Sequence, residues 1–311
     1  MPQESFEVRA RDPLGEVTEP AFLGALGHLR LVHGTALGTR VGQTPLRGRS
    51  EAAGLEVERY KPYEPTDELR FVDWNAYARL GDLIVRRFRP EREAPLRVFV
   101  DASASMAVPA QDGKFEFAGA LALALAYVAL RQQDPVELAF LVGESCLVSP
   151  EVRSVSLLPE LLAFARGVRP SGRLGYAVAV RRYLERPRGP GLAVFLSDFL
   201  FPREDLESVF SHVSRMRLRP VAIRVLGPAE REPERFFRRA LVVDAETGRE
   251  KPVLLHEQNV ARYRKALGDH LGGVEDLCRS YSGVFAVCDP TGGLRTALFR
   301  TLVRAGLLRS A

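Results

Sequence analysis

The stretch VFVDASASM, residues 98–106, decides how the rest of the chain is interpreted. Three apolar residues lead into Asp101, and two hydroxyl side chains follow at alternate positions, Ser103 and Ser105. An uninterrupted apolar run is typical of a strand that is buried on both faces of a parallel sheet. Open α/β sheets bind their ligands beyond the carboxyl ends of such strands. The stretch therefore predicts a central strand that ends in a ligand-facing loop.

Strand and helix patterns alternate from residue 96 to the C-terminus. The predicted strands are short apolar runs at residues 96–100, 136–142, 192–196, 221–226 and 284–287. The predicted helices lie between and after them, at residues 114–131, 157–166, 175–184, 203–217, 257–280 and 292–304. The first of these helices is apolar nearly all round, which is typical of a helix buried between layers. The alternation predicts an α/β fold with a doubly wound, mostly parallel sheet, similar to a Rossmann fold.

Three further segments complete the predicted architecture. Residues 146–149 are expected to form a short antiparallel edge strand, and residues 240–255 an inserted β-hairpin. Upstream, two strands at residues 55–60 and 83–88 flank a helical or turn segment. We therefore predict two parts: an N-terminal arm with β-strands, residues 1–95, packed on the core, and an α/β domain, residues 96–311.

A second carboxylate follows another apolar run, because Ser197 and Asp198 come directly after residues 192–196. Two carboxylates at the ends of two strands repel each other unless a cation or hydrogen bonds intervene. Hard cations such as Mg²⁺ prefer carboxylate, hydroxyl and water oxygens. The pattern thus predicts a site for Mg²⁺ or Mn²⁺ at Asp101, Ser103, Ser105 and Asp198. The alternative is a metal-free loop in which Asp101 caps the next helix and the serines bond to backbone groups.

These motifs resemble a known family. The DxSxS pattern after the first strand, DPVELAFLV at residues 134–142 and an Asp after the fourth strand resemble a von Willebrand factor A domain with its metal-ion-dependent adhesion site. The upstream segment is similar to the YxxGDxxRxIDWxxxAR signature of bacterial proteins called domain of unknown function 58. The matching residues are Tyr63, Asp67, Arg70, Asp73, Trp74, Ala78, Arg79, Leu83 and Val85. The resemblance covers residues 55–307.

The resemblance implies a binding function. It implies that Asp101, Ser103 and Ser105 are metal ligands or lie next to the metal, and that Asp198 acts directly or through water. It also implies that a carboxylate of a binding partner fills the last metal position, and that the protein is an adaptor for a MoxR-type AAA+ ATPase. One departure concerns Arg173, which lies near the position of the family's Thr ligand. A cation there opposes a divalent ion, or replaces it by pairing with Asp101 or Asp198.

Other function classes have weaker sequence support. The chain has no GxxxxGK[ST], no GxGxxG at a strand-helix junction and no GxSxG motif. A metal-dependent hydrolase that uses Asp101 and Asp198 is the enzymatic rival, although no general base is evident. Nucleic-acid binding is a further alternative, because the net charge is +5 and an Arg-rich run is present. This run contains Arg86, Arg87, Arg89, Arg92 and Arg97, and the nearby Glu91 and Glu93 favour a self-paired, solvated face.

The signature residues Asp73, Trp74 and Arg79 have two interpretations. They form a partner-binding surface, or a structural knot in which Trp74 is packed with its N–H bonded and Arg79 pairs with Asp73 or Asp67. We favour the knot. The first twenty residues lack an apolar signal core, and the longest strongly apolar run, residues 118–130, is shorter than the ~20 residues of a membrane-spanning helix. We expect a non-enzymatic, cytoplasmic protein that binds neither membranes nor nucleic acid.

Overall fold

The computed structural model describes residues 12–33, 56–64, 72–89, 94–185, 189–236, 239–243, 245, 248–254 and 256–311. Its strands are β1 (Leu29–Leu31), β2 (Glu56–Pro62), β3 (Ile84–Arg89), β4 (Leu96–Asp101), β5 (Val136–Val142), β6 (Ser145–Val148), β7 (Gly191–Ser197), β8 (Leu218–Val225), β9 (Arg239–Val243), β10 (Glu250–Leu254), β11 (Val284–Cys288) and β12 (Leu308–Ser310). Its α-helices are α1 (Pro13–Glu16), α2 (Pro20–Leu26), α3 (Trp74–Leu80), α4 (Lys114–Arg131), α5 (Leu158–Gly167), α6 (Tyr176–Leu184), α7 (Arg203–Arg215), α8 (Pro228–Arg231), α9 (Pro233–Phe236), α10 (Glu257–Ser280) and α11 (Gly293–Thr296). A turn of π-helix, Ala297–Leu302, follows α11.

The main sheet has six strands in the order β11-β8-β7-β4-β5-β6. All neighbouring pairs are parallel except β5 and β6, which are antiparallel. Strands β4 and β7 lie side by side, with Val100 opposite Leu196. Their carboxyl ends therefore lie at one edge of the sheet, and each end leads directly into one of the two acidic loops. The predicted α/β fold with a doubly wound, mostly parallel sheet and the predicted antiparallel edge strand are confirmed.

Helices cover both faces of this sheet. On one face, Val98 and Val100 pack into a buried cluster with α4, which is buried at 16 of its 18 positions. On the other face, Phe99 stacks on Phe195 with 4.7 Å between ring centroids, in a cluster that includes residues of α6, α7 and α10. Buried strands of this kind need apolar side chains on both faces, which is why their sequences show no alternation.

The chain forms two compact units, and the predicted boundary at residue 95 stays a prediction. One compact unit comprises Met1–Leu37 and Ala94–Ala311, and the other comprises Gly38–Glu93. Within the first unit, β1 pairs antiparallel with β12, so that Leu31 lies opposite Leu308. Strands of three residues are too short to show periodicity, which explains why neither strand was predicted from the sequence.

In the second unit, the two predicted upstream strands are present as β2 and β3, and they form an antiparallel pair. Helix α3 begins after Asp73, whose Oδ1 accepts hydrogen bonds from the backbone N–H groups of Asn75 and Ala76, both at 3.1 Å. The expectation of a packed Trp74 is wrong, because 57% of this residue is exposed. Asp73 is the N-cap of α3, and Trp74 is the first residue of this helix. Among the described aromatic rings, the Trp74 ring contacts only that of Tyr77, in an edge-on arrangement.

The predicted hairpin is also present, since β9 and β10 pair antiparallel in a two-stranded sheet of their own. Among the described residues, one helical segment, Ala110–Arg131, is long and apolar enough to cross a membrane by length and composition alone. This segment contains α4. However, 89% of its most apolar window is buried inside the protein, as is typical of a core helix.

Candidate functional site

The loop after β4 is organised by the carboxylate of Asp101. Its Oδ1 accepts a hydrogen bond from the backbone N–H of Ser103 at 2.8 Å, and its Oδ2 accepts one from the Ser197 hydroxyl at 2.6 Å. The first bond closes a turn of the type that Asp forms with the backbone two residues ahead. The second bond joins the ends of β4 and β7. Asp101 is only 2% exposed, so these two bonds replace the water that an exposed carboxylate would contact.

The pKa of Asp101 is raised to about 6, first by burial and then by the nearby negative charge of Asp198. The hydrogen bonds from Ser197 and Ser103 oppose this shift, because they stabilise the charged form. Asp101 is therefore ionised near neutral pH, but ionisation is less favourable in the folded protein than in water.

The loop after β7 holds Asp198 in a similar way. Its Oδ1 accepts a hydrogen bond from the backbone N–H of Leu200 at 3.2 Å, and its Oδ2 accepts one from the ammonium of Lys114 at 3.2 Å. Phe199, which lies between Asp198 and Leu200 in the chain, has a left-handed backbone with φ of 51°. This conformation is uncommon for a bulky residue. The Phe199 carbonyl oxygen lies 2.6 Å from Nε2 of His270 on α10. These contacts on both sides fix the direction of the loop.

The loop before α6 is the third loop at this edge of the sheet, beside the loop that carries Asp101. Two backbone hydrogen bonds, both 2.9 Å long, join it to the Asp101 loop: Ser171 N–H donates to Ala102, and Ala104 N–H donates to Gly172. Gly172 has φ of +65°, a conformation that glycine adopts without strain. The loop then continues into Arg173, which is exposed and lines the same cleft as Asp101.

These three loops enclose a small cleft of about 100 Å³. It is lined by Asp101, Ser103, Ser105, Arg173, Leu174, Asp198, Leu200, Phe201, Pro202 and Asp205. The four residues predicted from the sequence as metal ligands thus lie in one place. The hydroxyl oxygens of Ser103 and Ser105 are 2.9 Å apart and are hydrogen-bonded to each other. At the rim, Leu200 is 55% exposed.

Behind Asp198 lies an ion cluster, which we define as Lys114, Asp198, Glu230 and Arg224. The ammonium of Lys114 contacts Asp198 and also Glu230 Oε1, at 2.5 Å. Glu230 Oε2 in turn accepts a hydrogen bond from the backbone N–H of Gly227 at the start of α8. The guanidinium of Arg224 is fully buried, and no hydrogen-bond partner for its nitrogens is found among the described residues. Burial lowers the pKa of Arg224, and the charges of Asp198 and Glu230 oppose this shift.

The sequence interpretation missed this cluster. Lys114 was recognised only as the first residue of a helix, and Arg224 only as part of an apolar strand. The available signal was a lysine at the start of a helix whose next turns are almost entirely apolar, since such a lysine must find a buried partner. Glu230 gave no comparable signal, because it lies 116 positions from Lys114 in the chain.

The four predicted ligands fit a divalent ion poorly in this arrangement. Each carboxylate oxygen of Asp101 and Asp198 already accepts a hydrogen bond within the chain. Lys114 brings a positive charge to Asp198, and the exposed Arg173 lines the same cleft. Among the residues that the structure describes, no three His, Cys, Asp or Glu side chains form a metal-binding group. Binding of Mg²⁺ or Mn²⁺ by these residues therefore stays a prediction from the sequence.

The predicted basic run is only partly described. Arg97 does not belong to a solvated face, because it is 4% exposed within β4 and donates a hydrogen bond to the carbonyl of Gly189 at 3.1 Å. The side chains of the other four arginines, and the signature residues Asp67 and Arg70, lie outside the described residues. Burial of Arg97 removes one of the five cations that the nucleic-acid alternative requires.

Comparisons with known proteins identify relatives of the chain. The model of the family described as "Protein of unknown function DUF58" matches residues 59–270, more than half of the chain. An uncharacterized protein of Mycobacterium tuberculosis, Rv1480, is 28% identical over 236 residues, which cover 70% of this chain and 69% of that protein. The uncharacterized protein Mb1516 of Mycobacterium bovis matches with the same identity and coverage.

Similar solved structures include BatB from Bacteroides thetaiotaomicron, with a TM-score of 0.34, 15% identity and coverage of 60% of this chain and 99% of that one. An aerotolerance-related membrane protein from Bacteroides fragilis matches with a TM-score of 0.42, 14% identity and coverage of 68% and 99%. The von Willebrand factor A domain of SpRpn10 matches with a TM-score of 0.29, 11% identity and coverage of 42% and 75%.

Proposed function

This chain belongs to the DUF58 family, and we propose that it is a non-enzymatic adaptor that binds a partner protein at the carboxyl edge of its main sheet. The observation that carries the proposal is the cleft itself. A polar centre, formed by Asp101, Ser103 and Ser105, is bordered by exposed apolar surface at Leu200. Protein interfaces commonly combine an apolar contact area with a few directed polar contacts.

The size of the cleft supports a binding role over a catalytic one. Pockets for small-molecule substrates and cofactors usually measure roughly 300–1,000 Å³, whereas this cleft measures about 100 Å³. It has room for the head group of one side chain. A partner loop that covers Leu200 and inserts one polar side chain beside Ser105 fits this volume.

The chemistry of the cleft is also that of a binding site. Among the described residues that line it, none is a histidine, cysteine or lysine, so a nucleophilic mechanism would have to use a serine hydroxyl or an aspartate carboxylate. Each carboxylate oxygen of Asp101 and Asp198 already accepts a hydrogen bond within the chain. The hydroxyl groups of Ser103 and Ser105 are hydrogen-bonded to each other, and Ser103 also bonds to the Asp101 carboxylate. Activation of a serine needs a base within hydrogen-bond reach, and this carboxylate already accepts hydrogen bonds from the Ser197 hydroxyl and the Ser103 N–H. These contacts favour recognition of a partner.

The partner that we propose is a MoxR-type AAA+ ATPase, as the family resemblance implies. In this proposal the chain acts in the cytoplasm, and its cleft docks on the ATPase itself. The direct test uses the purified full-length chain and a purified MoxR-type ATPase encoded in the same genome. Binding is measured by biolayer interferometry, with and without ATP.

Replacement of an apolar rim residue by a charged one should disrupt this complex. We expect Leu200→Asp to weaken binding by about five- to thirtyfold, since an interface residue of this kind contributes about 1–2 kcal/mol. The matched control is Leu147→Asp, which alters a leucine of similar exposure, 47%, on the edge strand β6. Equal affinities of the wild type and Leu200→Asp, or no binding of the ATPase by the wild type, would contradict the proposal.

A further inference from the structure

We infer that Lys114 is the built-in cation of this site: it neutralises Asp198 and Glu230 as a divalent ion would, so that the adhesion-type cleft works without a metal. The inference deepens the proposed function, and it rests on that function only in taking the cleft as the docking site. The behaviour of Lys114 itself can be tested on the protein alone.

The position of Lys114 is fixed by the helix to which it belongs. Lys114 is the first residue of α4, and its side chain is 1% exposed. Its ammonium lies 3.2 Å from Asp198 and 2.5 Å from Glu230. Phe115 and Phe117, on the same turn, are also buried, so the helix cannot rotate to release the lysine without exposing aromatic surface. The ammonium is therefore a permanent part of the site.

The charges of the ion cluster balance without an added ion. Lys114 and Arg224 are its two cations, and Asp198 and Glu230 are its two carboxylates. All except Glu230 are almost completely buried, and the Glu230 side chain is 15% exposed. A buried charge that lacks an opposite charge is strongly disfavoured. A divalent ion bound next to Asp198 would add two positive charges beside the Lys114 ammonium, which already pairs with this carboxylate.

Glu230 also ties the cluster to the segment that follows β8. One of its carboxylate oxygens binds Lys114, and the other accepts the N–H of Gly227. The backbone carbonyl of Glu230 accepts a hydrogen bond from Tyr263 of α10 at 2.6 Å. Lys114 thus joins the Asp198 loop to α8, as a divalent ion ligated by both carboxylates would.

The test is to remove the lysine charge and measure metal binding. Mn²⁺ is titrated into the full-length wild type and into Lys114→Met, with isothermal calorimetry and the Mn²⁺ electron paramagnetic resonance signal as readouts. We expect no saturable binding by the wild type at millimolar Mn²⁺. We expect Lys114→Met to bind one Mn²⁺, because it leaves Asp198 and Glu230 with one fewer cation.

Two further variants serve as controls. Lys265→Met removes an exposed lysine of α10 and should not bind Mn²⁺. The double variant Lys114→Met/Glu230→Gln removes one charge of each sign, so its cluster is balanced again, and it should lose the Mn²⁺ binding that the single variant gains. If Lys114→Met is unfolded in metal-free buffer, refolding on addition of Mn²⁺ is the same positive result.

Three results would overturn the inference. The first is saturable Mn²⁺ or Mg²⁺ binding by the wild type that is lost in Asp101→Ala. The second is a folded Lys114→Met that does not bind Mn²⁺. The third is an unfolded Lys114→Met that Mn²⁺ does not refold. None of these measurements involves the ATPase, so failure of the metal-free mechanism is distinguishable from failure of the adaptor proposal.

Discussion

Asp198 separates two regions of opposite character. On one side is the cleft, where the hydroxyl groups of Ser103 and Ser105 bond to each other and Leu200 is exposed. On the other side is the ion cluster, where Lys114 bridges two carboxylates and is almost completely buried. In the cleft, hydroxyl groups that can exchange partners lie beside the Asp101 carboxylate and the exposed Arg173, whereas the cluster consists of buried charges that cannot be left unpaired.

The difference indicates how the two regions divide their roles. Loss of one member of the cluster leaves a buried charge without a partner, so the cluster stabilises the fold and fixes the loop that carries Asp198. Loss of a hydroxyl in the cleft leaves a site that water can reach, because Ser105 is half-buried. We therefore expect substitutions in the cluster to change mainly stability, and substitutions in the cleft to change mainly binding.

The largest effect is expected for Lys114→Met in metal-free buffer. Removal of one partner of a buried ion pair destabilises a protein by about 3–5 kcal/mol, and Lys114 has two carboxylate partners. Guanidinium unfolding monitored by circular dichroism measures the loss. Lys114→Met/Glu230→Gln should recover part of it. A single variant as stable as the wild type would mean that the cluster does not stabilise the fold.

The second effect depends on pH and concerns Asp101. Its folded-state pKa is raised from 3.8 to about 6, so the protonated form contributes stability below the unfolded-state pKa, and this contribution is lost as the pH rises through about 6. The Asp101→Asn variant cannot ionise at this position, so it keeps this contribution to stability at every pH. The variant should therefore gain stability relative to the wild type between about pH 4 and pH 7.5, by up to about 3 kcal/mol.

Urea unfolding at a series of pH values tests this expectation. The control is Asp276→Asn, which alters an exposed carboxyl group of α10 whose side chain is 74% exposed. For the control we expect no comparable change with pH. A difference between Asp101→Asn and the wild type that stays constant across the range would contradict the raised pKa of Asp101.

A smaller effect is expected at Gly227, which begins the turn that carries Glu230. A Cβ atom at this position would lie 2.0 Å from Oδ2 and 2.8 Å from Cβ of the buried Asp112. Gly227→Ala should therefore cost about 1–3 kcal/mol through overpacking. Gly268→Ala is the matched control, because a Cβ there meets nothing within 4 Å, and replacement of a helical glycine is stabilising by roughly 0.5–1 kcal/mol. Thermal unfolding of both variants separates the two outcomes.

The comparison also shows which features the sequence could predict. The cleft was predicted because its ligand-facing residues directly follow apolar strands, and the parallel sheet brings the ends of β4 and β7 together. The ion cluster was not predicted, because Lys114, Asp198 and Glu230 come from distant parts of the chain. Their pairing depends on how α4 and α8 pack on the sheet, and no periodicity in the sequence records that packing.

The smallest effect on stability, and the sharpest test of the comparison, is expected for Ser105→Ala. Its hydroxyl bonds only to that of Ser103 among the hydrogen bonds described, so its loss should change the free energy of unfolding by less than about 0.5 kcal/mol. Binding to the ATPase should nevertheless weaken by roughly fivefold, which corresponds to one neutral hydrogen bond of about 1 kcal/mol. The matched control is Ser156→Ala, because Ser156 forms a similar hydroxyl pair with Ser154 at 2.8 Å on an exposed turn away from the residues that line the cleft. Equal loss of affinity in both variants would show that the hydroxyl groups of the cleft have no special role. A large loss of stability in Ser105→Ala alone would show that the cleft, like the cluster, mainly stabilises the fold.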